Sequence, residues 1–411
     1  MARLINTRSP FFIKVSDSNL AVAKLELYIY EGVKDISPDA ADLKYSIVKA
    51  EIGGSNYVVF EISDLVKDYI ESKYDGEYDS YCVWVNPVIT AYSDILGTTP
   101  IASPTVSPSD YSSQFIATEG YGYFEEGVNP NFDEGLMMSE GTIYRVNDRS
   151  VNIPVYTGST NSVAFRLNGE TVYSKNVVYT DPANPTTSEA IQYIASDSNS
   201  TADSYKERVL EDGGVFEDNT LLEAFEESFD IGAVDEVYVN YTAGSEVNED
   251  GDTVYNYKTK VLKVKTFDCS KYEPIRVTFV NKYGALQDLY FTRKSNESVS
   301  VKKDAYKASI VDFSGLSVTY DTTGHQQRTL NLIGNESITL NTDYIDESCN
   351  EHIRQLMLSE QVWMTRLTDE ELIFPLTLKS QSVQMKTSLN DKMIQYTMNF
   401  DIANDKINSV K

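Results

Sequence analysis

Apolar and polar residues alternate with a period of two along most of this chain, the pattern of strands that bury one face and wet the other. Leu25, Leu27 and Ile29 share one face of "AKLELYIY", and Val58, Phe60 and Ile62 share one face of "YVVFEI". Helical spacing follows in "SDLVKDYIESK", where Leu65, Val66, Tyr69 and Ile70 line up behind a cap at Ser63 or Asp64. "YCVWVNPVITAYS" reads as a further strand, and the Pro-, Ser- and Thr-rich "GTTPIASPTVSPSDYSS" as a loop or linker. From about Val151, "VNIPVY", "SVAFRLNGETVYS" and "NVVY" predict short strands at the spacing of a sandwich, with "LNGE" as an Asn-Gly hairpin turn. Between Asp181 and Asp230 the stretches "SEAIQYIAS", "SYKERVLED" and "NTLLEAFEESF" predict short acidic helices set into the β framework. Strands resume with "DEVYVNY" and "VYNYKTKVLKVKTF".

The last third is the most regular. "RVTFVNKYGALQDLYF" predicts two strands folded back on Asn281, Lys282, Tyr283 and Gly284, where Gly284 supplies the positive φ of the turn. "SVSVKKDAYKASI" predicts another strand. A helix from about Asp346 to Ser359 keeps Ile345, Cys349, Ile353, Leu356 and Met357 on one face, as packing on a sheet requires. "FPLTLKS" is a strand, and in the closing segment Ile394, Tyr396, Met398, Phe400 and Ile402 alternate without exception with polar residues, predicting one strand with a buried face.

The expected architecture is mainly β with α insertions and several domains. Residues 1–145 form an N-terminal β-rich domain with a short helix and a Pro/Ser loop. Residues 146–270 form an Ig-like or β-sandwich module carrying the acidic helical insertion near 181–230. Residues 271–411 form a C-terminal β-rich domain with one packed amphipathic helix near 346–359. A length of 411 residues suits this division, because single cores stop growing at roughly 250 residues.

Composition narrows the function. With 41% apolar and 24% charged residues the chain is ordinarily globular, which excludes wholesale disorder. Its 29 tyrosines suit half-buried strands and contact surfaces. A net charge of −27 argues against specific or non-specific nucleic-acid binding, whose affinity comes from basic residues displacing counterions. The acidity reads first as a soluble surface, and it is also compatible with DNA sliding passively past a repelling wall. Cys82, Cys269 and Cys349 are widely spaced and form no CxxC pair, so they are expected to be buried thiols rather than disulfide or zinc ligands. The start lacks an apolar signal core and no run approaches the ~20 apolar residues of a membrane span; the expectation is a protein made and kept in a cytosol.

Catalytic chemistry has little material. The histidines are His325 and His352, which leave a Ser-His-Asp triad or a multi-histidine metal site almost no material, and His352 reads as a helix-flank residue. Glu246, Asn248, Asp250 and Gly251 imitate a calcium loop, but its twelfth position is Tyr257 instead of the bidentate carboxylate, so a hairpin tip is expected. No phosphate-binding glycine loop follows a strand, no carboxylate pair stands out, and the lysines of "KTKVLKVK" and "VKKDAYK" read as solvated faces or edge protection. No cofactor, metal or enzymatic activity is expected.

Four stretches, "NTRSPFFIKVSDSNLAVAKLELYIYEG", "RVTFVNKYGALQDLYFTRKSNESVSVKK", "SEQVWM" and "LNDKMIQYTMNFDIANDKINSV", resemble virion structural proteins of tailed bacteriophages infecting Bacteroidetes and marine bacteria, in particular neck and tail proteins of crAss-like phages. The resemblance touches both ends and the centre. It implies a non-enzymatic, multicopy ring subunit of the conduit through which DNA passes, partnered by itself and by portal, neck and tail proteins, assembled in the host cytoplasm and resident in the virion. The candidate assembly and structural residues are Asn281, Tyr283, Gly284, Ile394, Tyr396, Met398 and Phe400. The alternative is a receptor- or glycan-binding appendage whose aromatics, in "DGEYDSYCVW" or "EGYGYF", stack on sugars; a carbohydrate-active enzyme is the third reading.

Overall fold

The computed structural model describes residues 3–406 except 36, 110–113, 131, 133–134, 147–148, 197–232, 249–251, 268–270, 368–371, 381 and 386–392. Among the described residues the chain is mainly β, with 26 strands and only three short α-helices. It collects around three main apolar cores.

The first core lies between two sheets. Strands β1 (Arg3–Asn6), β3 (Val22–Tyr30), β4 (Leu43–Ala50), β6 (Cys82–Tyr92) and β8 (Phe115–Thr118) form one, and β2 (Phe12–Ser16), β5 (Tyr57–Glu61) and β7 (Thr105–Ser107) the other. Leu25, Leu27 and Ile29 from the larger sheet meet Ile13, Val58 and Phe60 from the smaller, which makes this unit a sandwich. The Pro/Ser-rich stretch is therefore not all linker: β7 pairs with β2, and Val106 fills the core. Helix α1 (Ser63–Lys67) is shorter than the spacing predicts and its cap position is Ile62, not Ser63 or Asp64. Val66 and Ile70 still bury, but beyond them the chain leaves the helix to deliver Tyr74 and Tyr78 to the third core's hairpin.

The second core has the order β12 (Glu170–Asn176), β11 (Thr160–Leu167), β14 (Glu236–Val247), β15 (Thr253–Phe267), β9 (Thr142–Val146), faced by the pair β10 (Asn152–Tyr156) and β13 (Ile191–Ala195). Asn168 and Gly169 both take positive φ, 54° and 85°, as a two-residue hairpin turn requires. Two expectations change. "NVVY" is not a strand of its own: Asn176 ends β12 and Val177 to Tyr179 lie beyond it. "SEAIQYIAS" forms a four-residue helix, α2 (Thr187–Ala190), that runs straight into β13. Ile191 packs into one cluster and Ile194 into the sandwich core; a strand buried on both faces accommodates them, whereas an acidic surface helix would not. The expected helices "SYKERVLED" and "NTLLEAFEESF" lie outside the described residues.

The third core is a seven-stranded sheet in the order β17 (Leu286–Phe291), β16 (Ile275–Val280), β23 (Val362–Arg366), β24 (Leu372–Leu378), β26 (Thr397–Ile402), β21 (Gln327–Asn341), β18 (Asn296–Lys307). Two small pairs accompany it, β19 (Val311–Asp312) with β20 (Thr319–Tyr320), and β22 (Ile345–Asp346) with β25 (Met393–Ile394). Helix α3 (Asn350–Leu358) covers the core with Ile353 and Leu356, as its spacing predicts. The closing segment is not one strand: Ile394 pairs with Ile345, while Thr397 onward pairs with β21 and β24. The burial alternation nevertheless runs through the break, because Tyr396 exchanges hydrogen bonds with Thr342 and stays buried.

Candidate functional site

The turn between β16 and β17 spans residues 281–285, one more than its sequence suggests, and it sits where the three cores meet. Asn281 closes the loop: its amide N–H donates to the Ala285 carbonyl at 2.9 Å, and its Oδ1 accepts from the Tyr283 amide at 2.9 Å. Its Nδ2 donates to the Met137 carbonyl at 2.8 Å, tying the turn to the segment before β9. The Tyr121 amide donates to the Lys282 carbonyl at 2.7 Å and the Thr118 hydroxyl to the Tyr283 carbonyl at 3.0 Å, tying it to the first sandwich. The Leu286 amide donates to the Tyr193 hydroxyl at 2.8 Å, tying it to β13. Gly284 has φ +79°, and a Cβ there would lie 2.7 Å from Thr118 Cβ and 2.8 Å from the Gly120 amide nitrogen. Only glycine fits both the backbone and the space.

Tyrosines and helix α3 complete this junction. Tyr74 and Tyr78 from the first sandwich pack with Tyr193, Leu286 and Trp363. The Tyr78 hydroxyl donates to Asp288, which also accepts from the Thr278 hydroxyl at 2.7 Å. Burial lifts the Tyr78 and Tyr193 hydroxyls well above their ordinary pKa, so they remain donors. The Lys282 ammonium pairs with Glu126 and lies 4.4 Å from the Tyr123 ring centre, while the Tyr123 hydroxyl donates to Glu351 on α3 at 2.5 Å. His352, which reads as a flank residue, is buried; its Nε2 lies 3.1 Å from the Ser139 carbonyl, and burial lowers its pKa. Cys82 and Cys349 are buried free thiols, pushed up to about 12 by burial; Cys269 lies outside the described residues.

The structure thus places all seven singled-out residues in the interior of the fold. Asn281 and Gly284 are buried and Tyr283 half-buried in the junction; Ile394, Tyr396, Met398 and Phe400 lie in the third core. Six of the seven are buried, and their contacts lie within the chain. The sugar-stacking aromatics turn inward as well: Tyr78 packs in the junction, and Tyr121 is buried against Tyr123. Phe124 alone of "EGYGYF" is fully exposed.

Bare surface lies on two projecting hairpins. β18 is a sheet edge, and residues 327–333 of β21 pair only with β18 among the described strands. Twelve residues of strand reach about 40 Å, and all of β18 is exposed. The register puts Val299 and Val301 on the face that also carries Leu332, opposite Lys303; both valines are 60% exposed. Beyond the shaft, Phe313, Leu316, Val318 and Tyr320 crowd an exposed apolar tip. On the second hairpin, the outer parts of β14 and β15, strand parity puts Tyr255, Tyr257 and Val261 on one face, and the two rings lie 6.4 Å apart. Tyr257 is 68% exposed. The alternation in "SVSVKKDAYK" was legible as a strand, but the absence of anything covering its apolar face was not.

Among the described residues no group of three or more His, Cys, Asp or Glu side chains is placed to hold a metal ion, and no helix is long and apolar enough to cross a membrane. A cleft of about 640 Å³ runs beside Glu31, Asp68, Glu71, Asp79 and Thr187. The class defined by fold and site is a mainly β, multi-sheet protein with a locked centre and two bare β-arms. No family model and no curated protein matches the chain. Among solved structures it is weakly similar to a Ca²⁺-stabilised adhesin that helps an Antarctic bacterium reach out and bind ice, at 8% identity over 97% of this chain and 95% of that one, with a TM-score of 0.14. A likeness at that TM-score carries no argument about fold or function.

Proposed function

We propose that this protein is a non-enzymatic structural subunit of a bacteriophage virion, assembling in multiple copies as a ring of the neck or tail conduit. The observation that carries the reading is the β18–β21 arm, whose unpaired edges and uncovered valines and leucines ask for another chain. A two-stranded hairpin is marginal on its own in water, and exposed apolar edges are pairing sites. The sequence resemblance supplies the setting: a virion part made in the host cytoplasm, working with portal, neck and tail proteins, with an acidic wall that lets DNA pass. The exposed pair Tyr255 and Tyr257 is what favours the alternative, a receptor- or glycan-binding appendage.

Assembly must overcome repulsion between copies that each carry −27. At ~0.15 M salt the screening length is about 8 Å, so whole-body repulsion fades while contacts at shorter range persist. Light scattering and negative-stain images of the full chain, alone and mixed with portal–tail components of its own phage, test the reading. Rings or co-assemblies that grow from low to physiological salt are expected. A discrete monomer or trimer that binds a host glycan and never co-assembles would put the appendage in its place.

A further inference from the structure

Helix α3 and the turn before it are joined to the second unit by a row of polar contacts. The Asp346 amide donates to the Tyr144 hydroxyl at 2.8 Å and the Thr142 amide to the Ser348 hydroxyl at 3.0 Å. The Cys349 thiol donates to the Thr142 carbonyl at 2.9 Å, and Gln355 Nε2 to the Ser139 hydroxyl at 2.6 Å. Gly141 comes so close that a Cβ would lie 2.9 Å from the Ser348 carbonyl oxygen. His352 stands within this row, 1% exposed, with Nε2 3.1 Å from the Ser139 carbonyl. A carbonyl only accepts, so the neutral ring with its hydrogen on Nε2 satisfies the contact.

We propose that His352 makes this joint an acid-sensitive latch: when its ring takes a second proton, helix α3 and the 139–144 segment part while both cores stay folded. The groups that could hold the added charge are engaged elsewhere. On the same helix Glu351 accepts from the Tyr123 hydroxyl, Gln355 and Arg354. Across a small void stand Tyr144 of β9, Asp288 and Tyr290 of β17, and Cys349. The Asp288 carboxylate accepts from the Tyr78 and Thr278 hydroxyls. Glu140, next to Ser139, pairs with Lys260, and Asp346 with Lys265. Burial outweighs the Ser139 carbonyl and Glu351, so the His352 pKa is lowered. The parted joint leaves the ring in water at the ordinary ~6.5. The latch is therefore full above pH ~6.5 and weakens as pH falls toward the lowered value, by up to roughly tenfold per pH unit.

The chain's other histidine, His325, is exposed, which makes the test clean. Hydrogen exchange of the full chain is followed from pH ~7 to ~5, above the ordinary carboxyl range, and corrected for the intrinsic pH dependence of exchange. Protection of residues 139–144 and 350–356 should fall, by up to roughly tenfold per pH unit, while strands β16 and β26 keep theirs. His352→Gln retains an N–H donor for the Ser139 carbonyl but does not titrate, so its protection should stay level over the same range. His325→Gln should follow the wild type. Level protection in the wild type, a fall in His352→Gln as steep as the wild type's, or loss of the fall in His325→Gln overturns the latch. Should His352→Gln not fold, the wild-type His352 ring proton decides by magnetic resonance, identified by its persistence in His325→Gln. Titration below ~6.5 is expected, and titration at or above that ordinary value overturns the proposal. None of these readouts depends on the multicopy reading.

Discussion

Two hairpins follow one another in this chain and meet opposite fates. The first, β16–β17, is buried on nearly every residue, and its turn is held by hydrogen bonds to both neighbouring units. The second, β18–β21, leaves the same sheet and runs out bare. Both alternate in sequence. What separates them is what surrounds them: the first meets Thr118, Met137 and Tyr193, brought from far away in the chain, while the second meets nothing described. A strand pattern reports that one face is apolar; it does not report which surface covers that face. The difference teaches that the buried hairpin ties the units of the chain together, while the bare one is the surface that the proposed assembly would use.

The largest expected effect is on the locked side. Ending the chain before Asp391 removes β26 from between β24 and β21. It also takes Ile394, Tyr396, Met398 and Phe400 out of the third core. At roughly 1.5–3 kcal/mol per buried large apolar side chain, the loss reaches the ~5–15 kcal/mol margin of a whole domain. Insoluble protein is expected; a soluble product with a cooperative melt would show that this segment is not core.

Next comes the turn. Gly284→Val combines a strained positive φ, about 1–3 kcal/mol, with overpacking against Thr118 and Gly120, another ~1–3 kcal/mol. Gly169→Val shares the positive φ but has nothing within 4 Å of its Cβ. Denaturant melts should therefore show a clearly larger loss at 284 than at 169. Equal losses would mean that the junction does not press on this turn.

The tyrosine-lined centre predicts a pH limit. Burial pushes the Tyr30, Tyr121 and Tyr144 hydroxyls up to about 12 and raises Tyr193 and Tyr290 further. In the unfolded chain they ionise near ~10. Their folded pKa lies above the unfolded one, so their contribution is full below pH ~10 and is lost as pH rises through about 12. Absorbance at the tyrosinate band should rise in two phases, the second coinciding with loss of ellipticity. A single non-cooperative phase ending near pH ~10 would contradict the buried assignments.

The smallest effect belongs to the bare side. Val299→Thr with Val301→Thr should change the thermal stability of the monomer by no more than ~0.5 kcal/mol, as exposed substitutions usually do. A loss of several kcal/mol would mean that these valines are covered within the subunit.

Much of the fold was legible from local pattern. Asn168-Gly169 names its own turn, the α3 face falls at Ile353 and Leu356, and the alternation of Ile394 to Phe400 predicts the buried face even though the strand breaks at Gln395 and Tyr396. The misread pieces depend on distant neighbours. Ile191 to Ala195 is a strand because β10 lies beside it, and past the short helix after Ser63 the chain carries Tyr74 and Tyr78 into contacts with the distant Leu286 and Trp363. In the candidate site, Asn281, Tyr283 and Gly284 read as the turn of a packed hairpin, and the structure adds what no local pattern carries, the hydrogen bonds from that turn to Met137, Thr118 and Tyr193. The arm reads as an ordinary strand with solvated or edge-protecting lysines, since charge and alternation alone do not tell whether anything covers its apolar face.

The most direct measurement compares the full chain with a variant in which residues 300–335 are replaced by Asn-Gly, a two-residue turn that closes β18 onto β21 where Val299 faces Glu336. Mass by light scattering and thermal midpoint are recorded for both under the conditions that assemble the wild type. The account predicts a folded variant with an unchanged midpoint that stays monomeric. A variant that still assembles, or one that no longer folds, would contradict it.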